Sequence, residues 1–431
     1  MEIKHSDVVL TADPGRVVLR PFSISVESYS TALGMMSRAE RVCRSLLKLT
    51  REECTTELAS VSRDFSGRHF QTRSIFLDRF NAIKAMIGPA IEGINDIDED
   101  HAALIGAYFC HEYSFEAAAI MNPSVVPHPD QVDVPDGAIR FLLSARTVGE
   151  GHISTISFRE GYFHADGTLR LEPESDFIVA AKPVADASDG PVTLSRHTPC
   201  SVSGTVIFPI TRAQSNGLED LRLVRFEDGE GGPTYLGTYT AYSGREIGCE
   251  LLETGDFDTF RLTPFRGVAA RHKGLALFPR RINGKYAAIG RLDHESLYYL
   301  ETDDPLVWNY GDRIASPRYA WELVQMGNCG SPIELDEGWL LLTHGVGAMR
   351  RYSIGAMLLD KSDPRQAIGR SRVPLLSPDE NTREGYVPNV VYTCGAMRHG
   401  EWIFLPYAVA DSSIRFASIR IADMLQHLRP F

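Results

Sequence analysis

Charged residues stand at the ends of apolar segments throughout the second half of the sequence, where a polar active site would need them. The stretch VRFEDGEGGPTYLGTYTAYSG, residues 224–244, places Glu227, Asp228 and Glu230 before an alternating aromatic segment. Residues in a similar relation to apolar segments are Arg146, Arg245, Lys273, Arg291, His344 and Asp411. A carboxyl group can protonate a leaving group while fixed cations hold an anionic nucleophile. Each charge alone is more simply a solvated strand end, but their recurrence predicts one shared site.

A repeated unit explains how these residues would meet. A glycine turn, an aromatic residue and an apolar strand recur at Tyr235, Tyr286, Trp339 and Trp402, with separations of 51, 53 and 63 residues. Residues 136–151 supply a fifth such unit. The spacing is close to the period of about 50 residues of a kelch-type blade, whereas a β-sandwich has no period of this length. The sequence therefore predicts an all-β five-bladed β-propeller, in which strand ends converge on an axial channel.

The beginning of the chain has a different, helical periodicity of apolar residues. Thr50 followed three residues later by Glu53 predicts a capping box at a helix start. Met35 and its neighbouring methionine are predicted to face a core between helices. We therefore predict a mainly α-helical N-terminal extension over residues 1–120 and a β-propeller catalytic domain over residues 121–431.

Composition excludes several classes of function. The 431 residues suggest two domains, and a balance of 44 basic and 56 acidic residues gives a net charge of −12, which disfavours nucleic acid as a partner. No segment has the pattern of a signal peptide or a membrane span, so we expect a cytoplasmic protein with no membrane partner. The seven cysteines are scattered singly, and no HExxH or Cys/His cluster occurs. We therefore expect reduced thiols and no catalytic metal.

Several ordered motifs make roughly residues 120–425 resemble glycoside hydrolase family 130. The motifs are MNPSVV, RFEDGEGGPTYLGTYTAYSGR, HKGLALFPRRINGKYAAIGR, GSPIELDEGWLLLTHGV, YSIGAMLLDKSDPRQAIGRSRVPLLSP and PYAVADSSIRFA. The resemblance implies a five-bladed propeller that cleaves β-mannosides with inversion, by phosphorolysis or hydrolysis. The expected partner is a β-mannoside oligosaccharide, with no cofactor and with inorganic phosphate as a possible co-substrate. The N-terminal extension lies outside the resemblance; covering the pocket and forming a homo-oligomer interface are roles left open for it.

The resemblance also implies roles for single residues. It places the general acid at Asp228, which would act through a hydroxyl of the bound mannosyl ring. The implied substrate ligands are Asn122, Arg146, Glu227, His344 and Asp411. The implied phosphate ligands are Arg245, Lys273 and Arg291.

Two departures from the family pattern keep the reaction class open. The family's Glu-Asp pair is usually followed by Pro-Arg, whereas Gly229 and Glu230 follow here. Gly290 takes the place of a histidine found in the phosphorylases. In a hydrolytic enzyme Glu227 or Glu230 would instead act as a base for water. Phosphorolysis is slightly favoured because the three basic phosphate ligands are present; the alternatives are a phosphate-independent β-mannosidase and a non-catalytic sugar-binding propeller.

Overall fold

The computed structural model describes the chain in five stretches, residues 2–31, 34–185, 190–196, 200–229 and 232–431. They form two compact units. The smaller unit comprises residues 16–114 and 176–179. The larger unit comprises residues 1–15, 115–175 and 180–431. No helix within the described stretches is long and apolar enough to cross a membrane.

The elements are numbered in chain order. The helices are α1 (Arg38–Leu46), α2 (Arg51–Phe65), α3 (Thr72–Ile87), α4 (Glu99–Tyr108) and α5 (Ile421–His427). The strands before residue 200 are β1 (Ile3–Thr11), β2 (Val17–Pro21), β3 (Ser28–Thr31), β4 (Gly34–Ser37), β5 (Cys110–Ser114), β6 (Ala119–Pro127), β7 (Ala138–Val148), β8 (Ser154–His164), β9 (Leu169–Leu171), β10 (Val179–Ala180), β11 (Lys182–Pro183) and β12 (Val192–Ser195). Those between residues 200 and 330 are β13 (Thr205–Ile207), β14 (Gly217–Phe226), β15 (Thr234–Tyr242), β16 (Ile247–Thr254), β17 (Thr259–Pro264), β18 (Ala276–Leu277), β19 (Tyr286–Gly290), β20 (Leu297–Thr302), β21 (Gly311–Ala315) and β22 (Gln325–Asn328). The remaining strands are β23 (Ile333–Glu334), β24 (Trp339–Val346), β25 (Tyr352–Leu359), β26 (Ala367–Arg370), β27 (Val391–Tyr392), β28 (Met397–His399), β29 (Trp402–Val409), β30 (Ser413–Arg420) and β31 (Arg429–Pro430).

The smaller unit packs α1 to α4 around an apolar core that includes Phe76, Phe80 and Leu104. The predicted capping box at the start of α2 is confirmed: the Glu53 backbone N–H donates to Thr50 Oγ1 at 3.2 Å, and the Thr50 N–H donates to Glu53 Oε2 at 2.7 Å. These two bonds satisfy backbone donors that the first helical turn leaves unpaired.

The prediction that Met35 faces a core between helices is wrong. Met35 lies in β4, which pairs with β3, and it is 70% exposed. Helix α1 begins only at Arg38, because Ser37 is its N-cap and accepts the Glu40 N–H at 3.1 Å. The helical spacing of apolar residues therefore extends beyond the helix itself, and the cap decides where the helix starts.

The larger unit is built mostly of strands, arranged as five successive antiparallel ladders. Each ladder follows four paired strands: β6-β7-β8-β9, β14-β15-β16-β17, β18-β19-β20-β21, β22-β24-β25-β26 and β27-β29-β30-β1. The first two ladders are joined into one sheet through β8 and β14, and short strands pair with four of the five ladders. The aromatic markers of the repeat, Tyr235, Tyr286, Trp339 and Trp402, all lie at the start of the second strand of a ladder. Strand β1 completes the last ladder through pairs from Ile3 with Ile419 to Thr11 with Ser413. All seven cysteines are described, and none forms a disulfide.

Adding a methyl group at Gly106 is expected to destabilise the smaller unit. A Cβ on this α4 residue would lie 1.8 Å from the carbonyl oxygen of Phe76 in α3. The helices must separate to accept it, so Gly106→Ala should lower the free energy of unfolding by about 1–3 kcal/mol or more. Gly67→Ala is the control, because a Cβ at Gly67 meets nothing within 4 Å. Urea unfolding followed by the helical circular dichroism signal measures both, and equal stabilities would contradict this packing.

Candidate active site

A polar cavity of about 220 Å³ receives residues from all five ladders of the larger unit. It has the volume of about seven water molecules. Its lining residues are Asn122, Arg146, Glu219, Asp220, Lys273, Arg291, Gln325, His344, Arg350, Tyr352, Val390, Tyr392 and Asp411. Many titratable groups from distant parts of the chain therefore meet in one concave site, which is the arrangement expected of an active site.

Two irregularities in strand pairing place Asn122 and Asp220 in this cavity. The register of β6 shifts just after Met121, and that of β14 shifts just after Glu219. The displaced residues have left-handed backbones, with φ of 49° at Asn122 and 59° at Asp220. Such conformations cost about 1–3 kcal/mol each for residues other than glycine and cluster at functional sites. The two side chains meet, since Asn122 Nδ2 donates to Asp220 Oδ1 at 2.6 Å.

Glu219 fixes two of the cations. Its Oε1 accepts from Arg146 Nη2 at 2.7 Å, and its Oε2 accepts from Lys273 Nζ at 2.8 Å. Arg146 is further held because Nη1 donates to Asp220 Oδ1 at 3.3 Å and Nε donates to Ser154 Oγ at 2.9 Å. The Glu219 side chain is only 10% exposed, so these charge-assisted bonds form largely away from water.

The pKa of Asp220 lies below its ordinary value of 3.8. Burial by itself would raise this pKa, but the positive charges of Arg146, Arg222 and Lys273 outweigh burial. Arg222 is 3% exposed, donates from Nη1 to the Asp220 backbone oxygen at 2.9 Å and donates from Nη2 to Tyr392 Oη at 2.8 Å. The Asp220 carboxylate is therefore ionised at neutral pH in this structure.

Asp411 has the opposite electrostatic character. It follows β29 with a left-handed φ of 49°. Burial, and after it the negative charge of Asp220, raises the pKa of Asp411 to about 6, although Arg146 and Arg350 act in the other direction. The cavity thus holds two carboxyl groups whose pKa values are pushed apart, a pattern that separates acid and base roles in enzymes.

Arg291 and Arg350 bring positive charge that the protein does not neutralise. Neither makes an ion pair with a carboxylate of the described residues. His344 lines the same cavity and is 2% exposed. Burial lowers the His344 pKa well below its usual range, and the charges of Arg291 and Arg222 lower it further. His344 is therefore neutral and adds no positive charge to that of the two arginines.

The structure brings most of the predicted site residues together. The residues that line the cavity are Asn122, Arg146, Lys273, Arg291, His344 and Asp411. Three predicted residues do not line it: Asp228, Glu227 and Arg245. Arg245 is exposed in the turn between β15 and β16, and Glu227 is exposed and paired with Arg225. Glu230 lies outside the described residues.

Asp228 lies outside this cavity. Its carboxylate accepts from Arg281 Nε at 2.7 Å and Nη2 at 3.2 Å, and its side chain is 45% exposed. Asp220 lies near the beginning of β14, whereas Asp228 follows the end of the same strand. At about 3.3 Å per residue, roughly 26 Å of extended chain separates them. Asp228 is thus not a residue of this cavity, and the Glu-Asp pair found there is Glu219 and Asp220.

The signal that identifies Asp220 is present in the sequence. The family pattern is a Glu-Asp pair with arginine two residues later, and residues 219–222 read EDLR. The pair at Glu227 and Asp228 lacks that arginine. The other cavity residues that sequence reasoning missed are Glu219, Gln325, Arg350, Tyr352, Val390 and Tyr392.

Comparisons with known proteins agree with this placement of the site in the strand-rich unit. The family model of glycoside hydrolase family 130, described as beta-1,4-mannooligosaccharide phosphorylase, matches residues 185–429. The chain is similar to beta-1,2-mannobiose phosphorylase of Listeria innocua, at 30% identity over 231 residues, which are 52% of this chain and 63% of that protein. It is also similar to 1,2-beta-oligomannan phosphorylase of Thermoanaerobacter sp., at 32% identity over 222 residues, covering 50% of this chain and 72% of the relative. The match thus spans less than two thirds of the Listeria protein.

The fold is shared with a solved structure. The structure of the Listeria innocua beta-1,2-mannobiose phosphorylase in complex with beta-1,2-mannobiose superposes with a TM-score of 0.53 and 20% identity. The superposition covers 72% of this chain and 92% of that chain.

The pKa of Asp411 predicts how stability depends on pH. Because the folded-state pKa of about 6 exceeds the ordinary value of 3.8, the stability that this group contributes is complete below about pH 4 and is lost as the pH rises through 6. Asn resembles the protonated carboxyl group, so Asp411→Asn should be more stable than the wild type at pH 7.5, by on the order of 2–3 kcal/mol. Near pH 4 that advantage should vanish.

Melting temperatures of Asp411→Asn and wild type from pH 4 to 8 measure this difference. Asp228→Asn is the control, because Asp228 lies outside the cavity and keeps a solvent-exposed partner in Arg281. An Asp411→Asn advantage that is the same at every pH would contradict the raised pKa.

Proposed function

Because this chain belongs to glycoside hydrolase family 130, we propose that it cleaves β-mannosidic linkages of soluble oligosaccharides with inversion and transfers the mannosyl unit to inorganic phosphate. The family predicted from the sequence is thereby confirmed. The names of the relatives refer to β-1,2 and β-1,4 linkages, and the proposal does not choose between them. The observation that carries the proposal is the pair of unneutralised arginines, Arg291 and Arg350, in the same cavity as the half-buried Asp220.

The phosphate would occupy the side of the cavity that contains Arg291, Arg350 and Lys273. A phosphate dianion entering a protein of net charge −12 needs fixed cations, and arginine forks bind two phosphate oxygens at once. Gly274, with φ of 92°, leaves this side open, since a Cβ there would lie 3.6 Å from Arg291 Nε. Arg245, which the resemblance implied as a phosphate ligand, is not needed for this arrangement.

Asp220 is the proposed general acid in place of Asp228. It must be protonated to act, although its pKa is lowered by the cations around it. Binding of the phosphate dianion would offset those cations and raise the Asp220 pKa, so phosphate binding and proton uptake would be coupled. The bond from C1 to the leaving oxygen then breaks, the proton moves from Asp220 to that oxygen, directly or through a ring hydroxyl, and a phosphate oxygen bonds to the opposite face of C1. The proton of hydrogen phosphate restores Asp220.

The remaining polar groups would hold the mannosyl unit. Asn122, which donates to Asp220, and Asp411 are the proposed ligands of sugar hydroxyls. His344 is neutral and its buried Nδ1 has no hydrogen-bond partner in this structure, so it can bond to a sugar or phosphate oxygen. Arg146 would orient Asp220 rather than bind phosphate, because its Nη groups are already engaged with Glu219 and Asp220.

Hydrolysis is the second candidate, and Asp411 is the observation in its favour. Its carboxyl group has a pKa of about 6 and makes no ion pair with a described residue. A carboxylate with those properties can take a proton from water, which is what an inverting hydrolase requires. Glu227, the base proposed from sequence, lies outside the cavity. A sugar-binding role without catalysis is the remaining alternative.

We also propose that the five ladders are the blades of a β-propeller. The support for this is that every ladder contributes residues to one cavity, as blades around a central channel do. The division into a helical extension over residues 1–120 and a catalytic domain over residues 121–431 belongs to the same proposal. We further propose that the protein is cytoplasmic and forms a homo-oligomer through the extension. The proposed reaction uses phosphate and no metal cofactor. An experimental structure with bound phosphate would test the architecture and the anion site together.

The reaction class can be measured directly. The protein is incubated with β-1,2-mannobiose or β-1,4-mannobiose, with and without phosphate, and we expect mannose 1-phosphate only when phosphate is present. Arg291→Gln should raise the KM for phosphate about tenfold or more, since it removes a charge-assisted contact, while the KM for mannobiose changes little. Release of mannose at the same rate without phosphate would establish hydrolysis instead.

The assignment of the acid is tested by a matched pair of variants. Asp220→Asn should lower turnover at least about a hundredfold, as expected when a general acid is lost. Asp228→Asn should keep turnover close to that of the wild type, because Asp228 is bound to Arg281 outside the cavity. If Asp228→Asn is the inactive variant, the acid belongs to the later Glu-Asp pair. If neither variant changes turnover, the proposed mechanism fails.

A further inference from the structure

A second cavity, of about 260 Å³, lies toward the other end of strands that form the candidate active site. Strand β6 contributes Asn122 to the active site and Val126 to this second cavity, and β14 contributes Asp220 and Val224 in the same way. Four residues of extended strand span about 13 Å. The two cavities are therefore separate chambers, and the catalytic proposal uses no residue of the second one.

The second cavity carries an unneutralised arginine. Three arginines line it, and two of them have carboxylate partners: Arg225 pairs with Glu227, and Arg280 donates to both carboxylate oxygens of Glu334 at 2.9 and 2.8 Å. The third, Arg398, makes no ion pair with a described residue, and its Nε donates to the Gly400 backbone oxygen at 3.2 Å. The charged groups that line this cavity therefore include one more positive charge than negative charges.

Polar and apolar lining groups indicate the kind of ligand. The Ser331 Oγ is buried and has no hydrogen-bond partner in this structure, which is costly unless a ligand or water satisfies it. The wall around it is apolar and includes Leu223, Pro279 and Pro332. The cavity has the volume of about nine water molecules, so it is smaller than typical sites for drug-sized ligands.

We propose that the second cavity binds a small organic anion, a carboxylate or phosphate monoester attached to an apolar body. The Arg398 guanidinium would hold two anionic oxygens, since its planar fork matches both groups. Ser331 would donate a hydrogen bond, and the proline and leucine side chains would contact the apolar body. This site is independent of the proposed mannoside chemistry, because none of its residues lines the candidate active site.

Calorimetric titration of the full chain with phenyl phosphate and with benzoate tests the site. We expect one binding event that persists in Arg291→Gln, which weakens only the candidate active site. Arg398→Gln should weaken this event about tenfold or more, because it removes the charge but keeps a side chain of similar length. Phenol, which has the same ring without the anion, should not bind. The tighter of the two anions identifies the ligand as phosphate monoester or carboxylate.

Two further variants supply a control and an alternative for this experiment. Arg313→Gln is the matched control, since Arg313 is an exposed arginine of β21 that lines neither cavity. Ser331→Ala should weaken binding several-fold, and it replaces Arg398→Gln as the test variant if Arg398→Gln does not fold. Unchanged binding in both Arg398→Gln and Ser331→Ala, loss of binding in Arg291→Gln, or no binding of either anion to the wild type would each overturn the proposal. Failure of the mannobiose assay has no bearing on these outcomes.

Discussion

The bridge that Glu219 makes between Arg146 and Lys273 is the interaction on which the candidate active site depends. Buried charges are unfavourable unless they are paired and hydrogen-bonded. Glu219 pairs both cations through separate oxygens, and Arg146 in turn reaches Asp220. Arg146 comes from the first ladder, Glu219 from the second and Lys273 from the connection between β17 and β18, so this bridge joins side chains that the backbone pairing alone would not hold together. Removing Glu219 would leave two cations competing for Asp220.

That arrangement also sets the proton affinities in the cavity. The same cations that Glu219 orients keep Asp220 ionised, and the Asp220 charge helps to raise the pKa of Asp411 to about 6. The protonation of Asp220 therefore responds to an arriving anion, and the protonation of Asp411 responds to pH. Arg291 and Arg350, which make no ion pair with a described carboxylate, line the same cavity and supply the charge that such an anion would meet. Electrostatics of this kind is laid down by the protein before any substrate binds.

Strand β14 shows how one element can serve two chambers. Its early residues face the candidate active site and its later residues line the second cavity. The buried Arg222 lies between these two groups of residues along the strand, bonded to the Asp220 backbone and to Tyr392. Because a strand advances about 3.3 Å per residue, a ten-residue strand is long enough to reach both. Glu227, directly after β14, lines the second cavity, and Asp228 follows it at that end of the strand, which is why Asp228 lies far from Asp220.

Much of this protein was determined by its sequence alone. The repeat of aromatic residues predicted the starts of strands in four ladders, the Thr50 box predicted the start of α2, and six of the nine predicted site residues line one cavity. These features follow from local patterns and from motifs whose residues are close in sequence. The start of α1, by contrast, depended on the cap at Ser37 rather than on apolar spacing.

Tertiary structure decided which Glu-Asp pair is buried among the cations. Both pairs belong to the same region of sequence, and the arginine two residues after Asp220 is the one local difference that matches the family pattern. The left-handed bulge at Asp220 turns that side chain toward Asn122, and the cost of the bulge is offset only by partners supplied from other ladders. Arg350 and Tyr392 likewise join the site through the packing of the fourth and fifth ladders. Contacts between residues as far apart as Asn122 and Asp220, which are 98 positions apart, depend on the whole fold, and for that reason the site's membership was settled only in three dimensions.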